Sequence, residues 1–293
     1  MTPHNETGDV PVGSNNTDQV PDEEKKCTLT NYIQSKNFRE VVFCIIVCVL
    51  LPLVPMFLTM CQRPIPYQIT NAGDTILDLT YNNDKATHET VSAALNAIIC
   101  VISLIMQMIL SLYLGKTNDA HLTICTWFMT MGITSFLTEC IKRYCGYLRP
   151  IYFSLCQFDG STFSCKDDDH KGRISFLSGH ASTSFCCMTI LTLYLLRLFG
   201  VGGLFYDSDS SNSAIPINNN FDEEQREDSN NNSTKTSKSS TATSRMASVF
   251  CLFPMLVAVF IGASRIHDNW HHPADVIAGS IIGFAIAKFF YDT

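Results

Sequence analysis

The sequence has no excess of positive charge, no apolar stretch near Met1, no internal repeat and no group of residues at metal-chelating spacing. Each absence closes a class. A formal net charge of −7 argues against nucleic-acid binding, which rests on Lys and Arg against phosphates. A cleavable secretory signal would place its apolar core close to the first methionine, but residues 1–40 are polar, so no removable leader is expected. The run Asp167 to His170 and the histidines His267, His271 and His272 are the candidates for a metal-dependent hydrolase. Adjacent His271 and His272 lack a chelating spacing, and the acidic run reads as a solvated loop beside Lys166 and Lys171, so no metal and no cofactor is expected.

Charge is also missing where length matters. Stretches 41–61, 91–114, 122–141, 181–201, 247–263 and 276–291 carry at most one charged residue each. Four of them approach the roughly 20 residues that cross a bilayer, and the last two recruit flanking residues. Six buried helices of one soluble fold would leave too little polar surface to face water. The expected fold is therefore an all-α polytopic membrane protein with six transmembrane helices, since each span must satisfy its own backbone hydrogen bonds. Thirteen cysteines would suggest a disulfide scaffold in a small secreted chain, but most lie inside apolar runs and read as small hydrophobes. Cys145, Cys156 and Cys165 lie in or beside one polar connection, where they can pair in an oxidising compartment.

The polar segments divide the chain into a disordered tail over 1–40 and a six-helix body over 41–293, interrupted by a disordered Ser/Asn-rich insertion over 202–245. Parity places the connections 62–90, 142–180 and 264–275 on one face of the membrane. Both termini and the connections 115–121 and 202–245 share the other, where the greater number of Lys and Arg favours the cytoplasm.

Three short stretches then fall on one face. Lys142 to Pro150 reads K-x₆-R-P, Ser178-Gly179-His180 leads into the fourth span, and Ser264 to Asp275 reads S-R-x₅-H-x₃-D. Lys142, Arg149 and Arg265 supply three cations, and guanidinium groups match phosphate oxygens by two-pronged hydrogen bonds. Ser178 and the backbone N–H groups near Gly179, at a helix start, add neutral donors. His180 and His271 are proton carriers or nucleophiles near neutral pH. Asp275, four residues after His271, reaches the ring and holds its tautomer if the sixth helix begins within this stretch.

These residues resemble the three signature motifs of the type 2 phosphatidic acid phosphatase superfamily, specifically its lipid phosphate phosphatase branch. Leu177 stands where the general pattern has proline. The resemblance implies that His271 attacks phosphorus to give a phosphohistidine, with Asp275 assisting and His180 protonating the leaving alkoxide. It further implies that Lys142, Arg149, Pro150, Ser178, Gly179, Ser264 and Arg265 form the phosphate pocket, with no metal. The implied substrates are phosphatidate, lysophosphatidate or diacylglycerol pyrophosphate held in the bilayer, with the site lumenal or extracellular and the termini cytoplasmic. Polyprenyl diphosphates and sphingoid phosphates are alternative substrates. A non-catalytic phospholipid-binding protein and a transporter are rival readings, the latter because Gln107 and Glu139 interrupt apolar runs.

Overall fold

A computed structural model describes residues 36–72, 75–114, 117–166, 170–199 and 246–293. Residues 1–35 of the expected tail, the expected 202–245 insertion and the four Asn-x-Ser/Thr sites at Asn5, Asn15, Asn231 and Asn232 lie outside the described residues. Among the described residues, six helices are long and apolar enough to cross a membrane. The spans are Asn37–Phe57, Ala93–Tyr113, Asp119–Cys145, Gly179–Leu198, Met246–His267 and Pro273–Asp292, built on α1 (Lys36–Leu50), α2 (Ala93–Tyr113), α3 (Thr117–Cys145), α4 (Gly179–Leu198), α5 (Phe253–His267) and α6 (Pro273–Asp292).

Several boundaries differ from the sequence reading for local reasons. α1 begins at Lys36, inside the stretch assigned to the tail, and gives way to a 3₁₀ helix over Leu51–Phe57 containing Pro52 and Pro55. Proline lacks the N–H that continues the α-helical ladder, so the chain is extended from Leu58 and the first span closes earlier than expected. α3 and α5 each run into the polar sequence beyond their apolar stretch. Lys142 and Arg265 thus lie on the last turns of helices, not in loops. α6 starts at Pro273, a residue suited to a first helical position, so His271 precedes the helix.

The packing is that of a membrane bundle, with small and polar residues facing inward. On α2 the buried positions are Asn96, Cys100, Ser103, Gln107 and Ser111, one stripe at helical spacing, while Ile98, Val101, Ile105, Ile109 and Leu112 are exposed. Without a hydrophobic driving force between helices in lipid, close backbone approach and interhelical hydrogen bonds take over. Ser111 and Tyr194 share a bond of 2.8 Å, and Thr138 donates to Ser182 at 2.9 Å. α4 is the central helix, buried along most of its length. It is crossed by α6 through Gly279 and Gly283. A Cβ on Gly283 would stand 2.2 Å from the Ser182 carbonyl, and one on Gly279 2.7 Å from that of Ser178. The isolated Gln107 donates to the Ser103 carbonyl of its own helix at 3.0 Å, and Glu139 pairs with Lys142 one turn on.

The connections between α1 and α2 and between α3 and α4 carry two small antiparallel hairpins. β1 (Tyr67–Ile69) pairs with β2 (Thr75–Leu77), and β3 (Phe158–Asp159) pairs with β4 (Ser164–Cys165). A disulfide joins Cys156 to Cys165, while Cys145 is a free thiol. Tyr67 lies against Phe158 and Phe163, and Asn83 donates from its backbone to the Pro150 carbonyl at 3.1 Å, so the two connections lie together over the bundle end.

Candidate active site

The three motif segments meet at the end of the bundle formed by the C-termini of α3 and α5 and the N-termini of α4 and α6. The junction is held by backbone. Ser178 donates its N–H to the Asp275 carbonyl at 3.1 Å, which is sterically feasible because Gly279 lets α6 approach α4. The Ser178 hydroxyl caps α4 by accepting from Ala181 N at 3.4 Å. Lys142 reaches across from α3 until its Nζ lies 3.0 Å from where a Cβ on Gly179 would be. Gly179 therefore leaves room for the amine.

Arg149 is buried and fixed from two sides. Its Nε donates to the Lys171 carbonyl at 2.7 Å and its Nη1 to the Trp270 carbonyl at 3.1 Å, with the guanidinium 4.7 Å from the centre of the Trp270 ring. Burial lowers its pKa to about 10, with Asp275 and Glu89 opposing, so the cation persists at neutral pH. Pro150 has no N–H to offer a phosphate. Its carbonyl accepts from the Asn83 backbone and side chain, so its contribution is to the path of the loop.

Arg265 is almost wholly buried. Its Nη2 donates to Asp268 Oδ2 at 2.8 Å, its Nη1 faces Glu89 Oε2 at 3.4 Å and its Nε faces the Ser264 hydroxyl at 3.4 Å. The Ser264 hydroxyl donates to the Ile261 carbonyl at 2.7 Å, which leaves it an acceptor toward Arg265 here. Asp268 also accepts from Thr90. Burial works against its charge, but the Thr90 bonds, His267 and Arg265 outweigh that and hold the carboxyl below its usual range.

The two adjacent histidines have different surroundings. His272 donates from Nε2 to the Leu148 carbonyl at 3.1 Å and sits edge-on to Tyr81 and Tyr147, so its ring is part of the scaffold. His271 is buried, with Nδ1 2.8 Å from the Ser175 carbonyl. A carbonyl can only accept, so Nδ1 carries the proton and Nε2 keeps its lone pair. Asp275 Oδ2 stands 3.7 Å from Nδ1, beyond hydrogen-bond length, which corrects the expectation that this carboxylate holds the tautomer directly. Because α6 begins after His271, the two residues do not share a helical face. Asp275 Oδ2 instead accepts from the Ser175 hydroxyl at 2.5 Å and the His272 N–H at 3.0 Å, and thereby supports the segment that holds the ring.

Burial pushes the His271 pKa down to about 4. Asp275 restores part of this, while Arg149 and Lys142 push the same way as burial. The ring is a neutral base at neutral pH. His180, on the first turn of α4, has a buried Nε2 with no hydrogen-bond partner among the described residues. Ser175, Asp268, Glu89, Thr90 and Trp270 were not among the expected site residues. Nothing in their spacing marks them, since Ser175 and Trp270 act through backbone carbonyls and Glu89 and Thr90 reach in from the distant 82–92 segment.

Residues 123–293, more than half the chain, match the PAP2 superfamily. This protein belongs to the PAP2 superfamily. Among its PAP2 relatives, it is 29% identical over 187 residues to Lipid phosphate phosphatase 2 of Arabidopsis thaliana, covering 59% of this chain and 51% of the relative. It is 28% identical to Diacylglycerol pyrophosphate phosphatase 1 of Saccharomyces cerevisiae, covering 74% and 68%, and 24% identical to Phospholipid phosphatase 1 of Rattus norvegicus, covering 83% and 80%. The aligned part spans about half the length of the first Arabidopsis relative. No solved structure matches the chain.

Proposed function

We propose that this PAP2 protein is a lipid phosphate phosphatase that hydrolyses phosphate monoesters of membrane lipids through a phosphohistidine. The observation that carries the reading is the state of His271, a neutral imidazole with Nδ1 tied to a carbonyl and Nε2 left as nucleophile beside Arg149 and Lys142. Relatives named for lipid phosphates support the substrate class.

In the proposed reaction Nε2 of His271 attacks phosphorus, forming the P–N bond as the bond to the lipid oxygen breaks. His180 gives that oxygen its proton, so the lipid leaves as an alcohol. Water then attacks the phosphohistidine and gives a proton to His180 as the P–N bond breaks, so inorganic phosphate is released, the His271 lone pair is restored and His180 regains the proton it gave up. Lys142, Arg149, Arg265 and the N–H groups at the start of α4 hold the phosphoryl oxygens as charge builds. Fixed cations can supply the charge stabilisation that a metal would give, so activity is expected to survive dialysis against excess EDTA.

Phosphate release from phosphatidate, lysophosphatidate, diacylglycerol pyrophosphate, a sphingoid phosphate and a polyprenyl diphosphate in detergent micelles tests the reading. The glycerol-based lipids are expected to turn over fastest. His271→Ala is expected to lose at least about 10³-fold in kcat while remaining folded. Wild-type-like release from that variant would remove the nucleophile, and release restored only by added metal would favour a metal-dependent hydrolase.

A further inference from the structure

Between β2 and α2 the chain passes over the site, outside the PAP2 match at 123–293. Three residues of the 89–92 stretch reach three parts of the site. Glu89 Oε2 is 3.4 Å from Arg265 Nη1. Thr90 donates to Asp268 twice, its N–H to Oδ2 at 2.8 Å and its hydroxyl to Oδ1 at 2.7 Å. Ser92 caps α2, and its backbone meets the His180 ring. Farther back, Asn83 bonds the Pro150 carbonyl and the Asp84 carbonyl accepts from Asn269 at 3.3 Å, so the segment is anchored along its length.

The two acids on Arg265 occupy unlike positions. Asp268 is fully buried with both oxygens engaged, and its bond to Nη2 orients the guanidinium plane. Glu89 is an exposed residue and touches one N–H at long range. A buried charge with all its bonds made is a fixed support, whereas a partly exposed carboxylate at the limit of bonding is readily displaced by a stronger anion.

We propose that the 89–92 segment is a fourth component of the phosphate site, in which Asp268 clamped by Thr90 is the positioning residue for Arg265 and Glu89 occupies the arginine's outer N–H until a phosphoryl dianion displaces it. This rests on the phosphatase reading. Both residues are acidic and both contact one arginine, yet the proposal gives them opposite effects on anion binding. Removing the Asp268 charge frees the guanidinium to turn and weakens its grip. Removing the Glu89 charge takes away a competitor and a repulsion from the entering dianion.

The test is inhibition of the full chain in detergent by orthovanadate, together with steady-state kinetics on phosphatidate. Asp268→Asn is expected to raise the vanadate inhibition constant and lower kcat by about 10- to 100-fold, with Asp268→Glu restoring part of both. Glu89→Gln is expected to lower the vanadate constant and KM by about three- to tenfold, with kcat little changed. If Asp268→Asn does not accumulate as folded protein, Thr90→Val, which removes one of the two clamp bonds, takes its place with a smaller loss of the same sign. Glu89→Gln raising the vanadate constant or leaving it unchanged would overturn the displaceable role. Unchanged constants in Asp268→Asn, or in Thr90→Val where it takes that variant's place, would overturn the clamp. A wild type that neither releases phosphate nor responds to vanadate fails the phosphatase reading itself, a result distinct from a normal wild type with indifferent variants.

Discussion

The choice between His271 and His272 is made by a hydrogen bond and a boundary. Residue chemistry alone offers two imidazoles, but His272 is held by Leu148, Tyr81 and Tyr147, while among the described residues the His271 ring is engaged through Nδ1. The low pKa of His271, about 4, makes a residue-level prediction. Burial is its main cause, with Arg149 and Lys142 reinforcing it. The ring should thus stay neutral from neutral pH down to near pH 4 and gain its proton only below that. Phosphate esters titrate near pH 6 and would mask this in a rate profile. Titration of the labelled His271 ring by NMR in detergent, without substrate, avoids that overlap. Arg149→Gln should move the midpoint upward toward the ordinary value near 6.5, because a like charge that disfavours the imidazolium is gone. A wild-type midpoint at 6.5 or a downward move in the variant would contradict this origin.

At the scale of elements, the helices were legible from missing charge, and their ends were not. Apolar runs mark the part of a helix that lipid requires, whereas α3 and α5 continue into polar sequence because their last turns are covered by other parts of the protein. The α4–α6 crossing was also hidden, since glycines every four residues carry weight only when a facing backbone is known. Gly283→Val is expected to push α6 off the Ser182 carbonyl, costing on the order of 1–3 kcal/mol or more and lowering the thermal midpoint in detergent. Activity should fall with it, because the same crossing sets Ser178 against Asp275. Gly160→Ala, whose Cβ would meet nothing nearer than 3.9 Å, is the control and should be neutral. Equal midpoints for the two variants would refute the crossing as a determinant of stability.

For the whole molecule, parity expects one face to hold all the phosphate-binding groups, and the structure gathers them at one end of the bundle. Which compartment that end faces is part of the proposal. The Cys156–Cys165 disulfide beside the site supports an oxidising lumen or exterior, and the basic residues on the tail-bearing face support a cytosolic location there. Asn5, Asn15, Asn231 and Asn232 are accordingly expected to carry no glycan. A glycosidase-sensitive mass shift at any of them would invert the assignment. So would labelling, by an impermeant thiol reagent on intact cells, of a cysteine introduced within 202–245.

The sequence by itself determined that six spans exist, that the three motifs lie at one end of them and which residue types there are suited to a phosphate. Those conclusions follow from local properties, namely the cost of charge in lipid, the alternation of connections and the fixed character of Lys, Arg and His. Tertiary structure decided the partners. It tied the His271 ring to Ser175 instead of Asp275, turned the Ser264 hydroxyl toward its own helix, and brought Glu89 and Thr90 onto Arg265 and Asp268 from about 180 residues away, as the sequence separations of 176 and 178 record. The physical reason is that hydrogen bonds act over about 3 Å in space, and no spacing along the chain encodes which distant carbonyl or carboxylate will arrive within that reach.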